Sequence, residues 1–516
     1  MPKSRKKKPP RKTDRRRYVI PIIIGVVAAI MLGPSLYHLQ APFFYSTDMQ
    51  YVKAKVLYVL SGKLFNDPVT GYPTFHPPMY HIVLAPFKAI GLSFSTILFW
   101  VFVFNMTMTF LMVYKVVVRA FDSYVAMLTC FMMPFIMSYI GEGALLLADS
   151  YSFSIAFYLI GLWLFMHPAQ THKFAVLSGL VWGFAFLLSP GHVFLLGFGF
   201  LYQLAIARQY KRFLASAVTF LVSIIPFYIQ TYVIYSQNLQ GTSAFAFWRG
   251  FPGGTWLTDL VVTLFGGNER NLLSVGALIT VATVITALTG MFKTRKVPWF
   301  AVVAGVAFLF TFYHFSHQYA VRVQFILMIF AGALAMNYVS KLRVPRLLTW
   351  GIIAVICALS FHRYYSSYST WQSSQHVAHR LMSQENYFPG CLDGYISPGD
   401  FIFCSKYTYL YFLMPRTTAH ALGCYKTMEY FQLKTEISQE LEADYNTIVN
   451  SNDYSQVMQI ADKYGIRVAV FRHIRRDLSL PLHKVLTEHW EKVHDDGRFQ
   501  IFSRDLASRS GSEGGG

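Results

Sequence analysis

Tyr18-Val-Ile-Pro-Ile-Ile-Ile-Gly-Val-Val-Ala-Ala-Ile-Met-Leu-Gly-Pro-Ser-Leu36 is a run without a single charge. It follows a tail, residues 1–17, that holds ten Lys or Arg against the single Asp14. A helix crossing the hydrocarbon core needs ~20 mostly apolar residues, and the run supplies them. A basic flank marks the cytoplasmic end of such a helix. The run is too long for the apolar part of a cleaved signal peptide and lacks a clear small-x-small cleavage site. The tail therefore reads as the inner flank of a membrane anchor rather than as a nucleic-acid-binding arm.

The anchor is the first of about eleven stretches long and apolar enough to span a bilayer. They lie at 18–38, 93–114, 122–140, 150–167, 174–190, 191–208, 213–236, 274–293, 299–314, 322–339 and 347–362. Composition agrees: of 516 residues, 54% are hydrophobic, 17% aromatic and only 14% charged. Soluble globular proteins carry roughly 25% charged residues. This excludes a soluble enzyme, a disordered chain and a nucleic-acid-binding domain. Alternate connections carry the basic residues: Lys115 and Arg119, Lys173, then Arg208, Lys211 and Arg212, then Lys293, Arg295 and Lys296, then Lys341, Arg343 and Arg346. Under the positive-inside rule these connections and the N-terminus are cytoplasmic, and the others face outside.

Two outer connections, 39–92 and 237–273, are long, and long loops more often carry function than merely bridge. After the last span, residues 363–509 read as an external α/β domain and 510–516 as a flexible Gly/Ser tail. In that domain the apolar runs Asp400–Ser405 and Ile466–Phe471 predict buried strands. Helical spacing covers Glu436–Asn450 and Tyr454–Tyr464, and Phe499–Phe502 reads as a final edge strand. Cys130 and Cys357 fall inside spans. Cys391, Cys404 and Cys424 fall in the external domain, where one disulfide or none can form. Asn105-Met106-Thr107 has the form of a glycosylation sequon, but lies within the second span.

The acids are few, so their positions carry information. The first outer loop begins Phe44-Tyr45-Ser46-Thr47-Asp48-Met49-Gln50-Tyr51-Val52-Lys53-Ala54. A helix is predicted to start here, with Ser46 or Thr47 as its cap. Asp48 is then either a charge complementing the helix N-terminus or a general base that takes a proton from an acceptor hydroxyl or amine. The loop continues Phe75-His76-Pro77-Pro78-Met79-Tyr80, then His81–Gly91, which is apolar but too short to span and reads as an interfacial helix. His76 is either a turn residue or a donor to an anion. The third span ends in a tract holding Glu142 and Asp149. Carboxylates at membrane depth are costly and mark function or pairing, so Asp149 is read as an active-site acid, with helix capping as the alternative. Lys53, Lys55, Lys63 and Lys88 lie in the first loop, where they contact anionic headgroups or attract an anionic lipid donor. Arg249 and Arg270 lie in the second long loop, and His314, His317, Tyr319 and Arg322 flank the tenth span. Arginine suits phosphate because its planar fork forms paired bonds.

The order of these features resembles the GT-C glycosyltransferases, and within them the protein O-mannosyltransferases and the lipid A aminoarabinose transferases. The shared pattern is a first helix, an outer loop with Asp48-x-x-Tyr51-x-x-Ala54, then His76-Pro77-Pro78-x-Tyr80, then Asp149 closing the third span. It is clearest over residues 18–165. Lys463-Tyr464-Gly465-Ile466-Arg467-Val468-Ala469-Val470 and Trp490-Glu491-Lys492-Val493 resemble the external domain of bacterial members.

The resemblance implies a polytopic α-helical membrane enzyme moving a monosaccharide from a polyprenyl-phosphate donor to a protein, lipid or glycan acceptor. Transfer would occur on the outer face of a bacterial plasma membrane. It places Asp48 as catalytic acid and Asp149 as second acid. Tyr51, His76, Tyr80, Arg249 and Arg322 become substrate or phosphate ligands, with Glu142, Lys53 and His317 as further candidates. His76 stands where many members carry Lys, and Met49 follows Asp48 where a second acid is common. With no Asp-x-Asp in the loop, no cofactor is expected, and a divalent metal is the less favoured alternative. The rival class, a membrane transporter or lipid flippase, calls for paired broken helices and midplane charges. A scaffold that has lost activity is the third reading.

Overall fold

The computed structural model describes residues 47–66, 77–139, 150–169, 171–235, 275–314, 317–342, 347–359, 401–404, 420–421, 436–497 and 499–504, with isolated positions such as Gly25. The rest of the first span and the loop 237–273 lie outside the described residues.

Two short helices, α1 (Thr47–Leu60) and α2 (Met79–Ala89), precede the bundle. The bundle continues with α3 (Phe94–Ala120), α4 (Ser123–Tyr139), α5 (Ser150–Phe165) and α6 (His172–Leu188). After a 3₁₀ turn at Pro190–His192 come α7 (Val193–Leu201), a π turn at Tyr202–Ile206 and α8 (Tyr210–Tyr235). Then follow α9 (Val275–Thr294), α10 (Trp299–His314), α11 (His317–Val339) and α12 (Leu347–Leu359). Helices start where side chains can cap them. The Ser93 hydroxyl accepts the Thr96 amide at 3.1 Å, and the Asp122 carboxylate accepts the Val125 amide at 2.9 Å.

One apolar core, including Phe102, Phe110, Phe165, Phe308, Phe325 and Phe330, runs through the bundle. Helix packing is closest where side chains are smallest. A Cβ on Gly179 of α6 would overlap the Ser216 carbonyl of α8, and one on Gly161 of α5 would overlap the Trp182 ring of α6. On the outside the pattern inverts. Leu214, Leu221, Val222 and Ile229 of α8 are exposed, and so are Leu278, Ile285 and Phe292 of α9. A bundle with aliphatic side chains outside faces lipid, not water. Among the described residues Thr96–Ala120 and Tyr210–Ile229 have both the length and the hydropathy of a full span, and the remaining apolar helices are shorter.

The structure corrects four readings of the sequence. The second span extends to Ala120, so Lys115 and Arg119 belong to α3 rather than to a connection. Their long stems make this tolerable. Lys115 lies over the Trp163 ring at 4.7 Å. Arg119 lies over the same ring at 4.4 Å and donates to the Trp163 carbonyl. The span at 191–208 is interrupted by the π turn, where Ala207 donates to the Tyr202 carbonyl at 2.9 Å. The tenth span begins at His317, which brings His317 and Arg322 onto the first turns of α11. Asn105 is fully buried in α3, in keeping with its place inside a span.

The fourth correction concerns the C-terminal domain. Its strands are β1 (Phe401–Cys404), β2 (His420–Ala421), β3 (Val468–Arg472), β4 (Glu491–Asp495) and β5 (Phe499–Ser503), in the order β2-β1-β3-β5-β4. β1 runs parallel to β2 and β3, whereas β5 pairs antiparallel with β3 and β4. β5 is therefore interior. Phe499, Ile501 and Phe502 are buried, while β4, with its Glu, Lys, His and Asp, takes the edge, where charged side chains remain solvated. The helices are α13 (Glu436–Asn450), α14 (Tyr454–Tyr464), the short α15 (Arg475–Leu478) and α16 (Pro481–His489). Asp453 caps α14 by accepting the Ser455 amide at 2.9 Å. Gly465, at φ +64°, closes it as Ile466 donates to the Ala461 carbonyl at 2.8 Å. Cys404 is buried in β1, and Cys391 and Cys424 lie outside the described residues.

Candidate active site

Asp48 is the second residue of α1, and Tyr51, one turn on, is buried against α2. The Tyr51 and His81 rings meet edge to face with centroids 6.2 Å apart. His81 contacts Tyr80 at 5.6 Å, and Tyr80, fully buried, contacts Phe153 of α5 at 5.7 Å. Phe153 lies in the first turn of α5, whose first residue, Ser150, follows Asp149. A chain of four rings thus ties the second turn of α1 to the first turn of α5, across a hundred residues of sequence. Aromatic pairs at these spacings hold relative orientation as well as burying area.

α2 sits between them with Tyr80, His81, Leu84 and Ala85 inward and Ile82, Phe87 and Ile90 exposed. The Pro77-Pro78 pair precedes it, and the Pro78 carbonyl accepts the Ile82 amide at 2.9 Å. The helix is as short as the sequence expected and starts two residues earlier.

The lysines of the first loop divide. Lys53 and Lys55 are buried, at 8% and 1% exposure, so neither lies open to headgroups as the sequence suggested. Lys55 donates to the Asn66 carbonyl, fastening the segment after α1 back onto the helix. A buried ammonium must be compensated in this way. Lys63 is exposed and lies over Tyr58 at 5.4 Å. Lys88 lies over Phe94 at 5.0 Å.

One residue outside the sequence-predicted set belongs to this neighbourhood. His192, in the 3₁₀ turn after Ser189-Pro190-Gly191, is fully buried. Its ring lies 5.1 Å from Tyr151 and 5.3 Å from Tyr158. Its Nε2 is 2.9 Å from the Ser154 hydroxyl, and that hydroxyl donates to the Tyr151 carbonyl at 2.6 Å. A hydroxyl has one proton, so the histidine Nε2–H is the donor in their mutual bond. Three residues of the first turns of α5 are thereby pinned to the α6–α7 turn. The only sequence signal was a histidine beside a Pro-Gly break.

Of the sequence-predicted residues, Tyr51 and Tyr80 are linked through His81, and Lys53 is buried on α1. Asp48, His317 and Arg322 are placed as helix backbone, at the start of α1 and of α11. His76, Glu142, Asp149 and Arg249 lie outside the described residues.

No family model and no curated protein matches this sequence. The solved structures do. The crystal structure of ArnT from Cupriavidus metallidurans bound to undecaprenyl phosphate aligns with a TM-score of 0.62 at 13% identity, over 94% of this chain and 98% of that one. The oligosaccharyltransferase of Archaeoglobus fulgidus aligns with a TM-score of 0.54 at 12% identity, over 89% of this chain and 70% of that one. The mycobacterial arabinofuranosyltransferase AftD gives 0.56 at 11% identity, over 92% of this chain and 39% of that one. Over most of its length this chain shares the fold of these three membrane glycosyltransferase structures.

Proposed function

We propose that the protein is a glycosyltransferase that moves a monosaccharide from a polyprenyl-phosphate donor to an acceptor on the outer face of the membrane. The observation that carries this reading is the end-to-end likeness to a structure solved with undecaprenyl phosphate. The ring chain joining α1, which carries Asp48, to α5, which begins one residue after Asp149, supports it.

In the proposed reaction Asp48 takes the proton from an acceptor hydroxyl or amine. The freed lone pair attacks the anomeric carbon in line, and the bond from that carbon to the phosphate oxygen breaks. The lipid phosphate departs with the electron pair, its charge met by Arg322, Arg249 or His76. One displacement inverts the anomeric centre. Asp149 is the second acid of the site, and Tyr51 and Tyr80 form its wall. A monophosphate leaving group carries less charge than a diphosphate, so fixed cations suffice and no divalent metal is required. The N-terminal tail is cytoplasmic and the C-terminal domain external.

Membranes containing the wild-type protein should transfer radiolabel from a polyprenyl-phosphate sugar, and Asp48→Asn should lower the rate by ~10²–10⁴-fold, the usual worth of a general base. Because the substitution keeps shape, donor binding and thermal stability should be unchanged. Near-normal turnover by the Asn variant would falsify the assignment of Asp48.

A further inference from the structure

The basic connections converge on one end of the bundle. Arg119 donates to the Trp163 carbonyl, Arg212 to the Phe165 carbonyl, and Lys296 lies over the Phe121 ring at 5.3 Å. At that end a groove of about 600 Å³ opens between α9, α11 and α12, with Met132 of α4 at its floor. Its lining is apolar apart from two threonines, and one of these, Thr283, donates its hydroxyl to the Ile279 carbonyl at 2.8 Å. A volume of several hundred Å³ is the size that holds a ligand.

The groove persists because its walls are fastened on their far sides. α12 is held to α4 by Trp350, whose ring meets Phe131 at 5.4 Å, and by Cys357, whose thiol reaches the Phe131 carbonyl at 3.4 Å. α9 is held to α11 at Gly290, where an added Cβ would come within 2.8 Å of the Tyr338 Cβ. Between these two contacts Gly351 of α12, which lines the groove, has nothing within 4 Å of where its Cβ would be.

Cations stand at the mouth. Val339 and Leu348 line the groove where the α11–α12 connection begins and ends, and exposed Lys341 follows Val339 by two residues. Lys293, also exposed, reaches the ring of Tyr338, the residue before Val339, at 5.7 Å. Neither lysine has an ion-pair partner among the described residues. An apolar slot at membrane depth capped by unpaired cations matches one kind of molecule, a lipid with an anionic head.

We infer that this groove is a binding site for an anionic diacyl phospholipid, with an acyl chain along α9 and α12 and the phosphate at Lys293 and Lys341. It lies beside the α11–α12 connection, away from the first turns of α1 and α5, and it does not depend on the proposed transfer reaction. Occupancy would bridge α9 and α12.

The test is native mass spectrometry of the full chain in detergent, titrated with dioleoyl phosphatidylglycerol or dioleoyl phosphatidylcholine. The wild type should retain phosphatidylglycerol in preference to phosphatidylcholine. Replacing Lys293 and Lys341 by Gln should weaken that retention about fivefold per lysine, the usual effect of a basic residue on an anionic lipid. Gly351→Phe projects a ring into the empty slot and should displace the lipid without a clash elsewhere, with Gly351→Leu serving the same end should the larger side chain misfold. Equal retention of the two lipids by the wild type overturns the inference. So does undiminished retention by a folded Gly351 variant. If undecaprenyl phosphate outcompetes phosphatidylglycerol at equal concentration, the groove is a polyprenyl site and the diacyl assignment is wrong.

Discussion

A buried hydroxyl and a buried imidazole decide more about the start of α5 than their neighbours in sequence do. Ser154 is committed to the Tyr151 carbonyl, and His192 completes it from another helix. Removing the imidazole leaves the Ser154 oxygen without its donor in a dry site, which costs about 1–3 kcal/mol. We therefore expect His192→Leu to lower the melting temperature in detergent. His192→Gln, which can still donate, should recover much of the loss. If the proposed transfer reaction holds, the Leu variant should also lose turnover more than donor affinity, because the turn it loosens is the one that follows Asp149. A single-turnover assay separates the two.

The elements differ in what holds them. α6 and α8 approach through glycine, so Gly179→Ala should push the Ser216 backbone away and cost about 1–3 kcal/mol, the usual range for overpacking. A thermal melt of the variant against the wild type measures it. The β4–β5 hairpin depends instead on charge. Hydrogen bonding from Lys492, with help from the Gly497 amide and Gln500, holds the Asp495 carboxyl at about 2. A carboxylate whose acidity is enhanced by folding stabilises the folded form above its unfolded value near 4, and that contribution disappears as pH falls from about 4 to 2. Selective ¹³Cγ labelling of aspartate should show one carboxyl titrating near 2, and Lys492→Ala should return it toward the ordinary range. Lys463 is bound by Asp444 at 2.5 Å and Glu440 at 2.6 Å on the α13–α14 surface. Its ammonium is pushed to a higher pKa by those carboxylates, yet the pair is exposed, so its deletion should change stability by less than about 1 kcal/mol.

At the scale of the whole molecule, the expected orientation rests on charge. The reading of Lys and Arg at alternate connections expects the N-terminus inside and Trp490 outside. Cysteine-accessibility labelling or protease protection of Trp490-flanking sites checks it, and a cytoplasmic C-terminal domain would reverse every face named here. The proposed chemistry also expects transfer to survive EDTA. Loss of activity on chelation, restored by Mn²⁺, would replace the fixed-cation scheme with a metal-assisted one and make Glu142 a candidate ligand. A transporter needs paired broken helices. Among the described residues the 3₁₀ and π turns flank one helix, α7, which gives that rival little support.

Hydropathy placed nearly every described helix of the bundle, because ~20 apolar residues have no other economical fate than a span. Helical spacing placed α13 and α14, and Asp453 and Gly465 fix both ends of α14 within one turn of chain. What periodicity could not give was any relation between elements. Edge and interior strands share one alternation, so β5 looked like an edge until Glu491–Asp495 was seen to lie outside it. Lys115 and Arg119 looked like loop residues until Trp163 was found beneath them. Lys53 and Lys55 read as solvated because charge usually is, and only the fold of α1 against α2 buries them. The acids were legible as unusual, because a carboxylate in an apolar tract is costly. The ring chain from Tyr51 to Phe153 was not, because contacts between residues a hundred apart leave no periodic trace in the chain and exist only once the helices have packed.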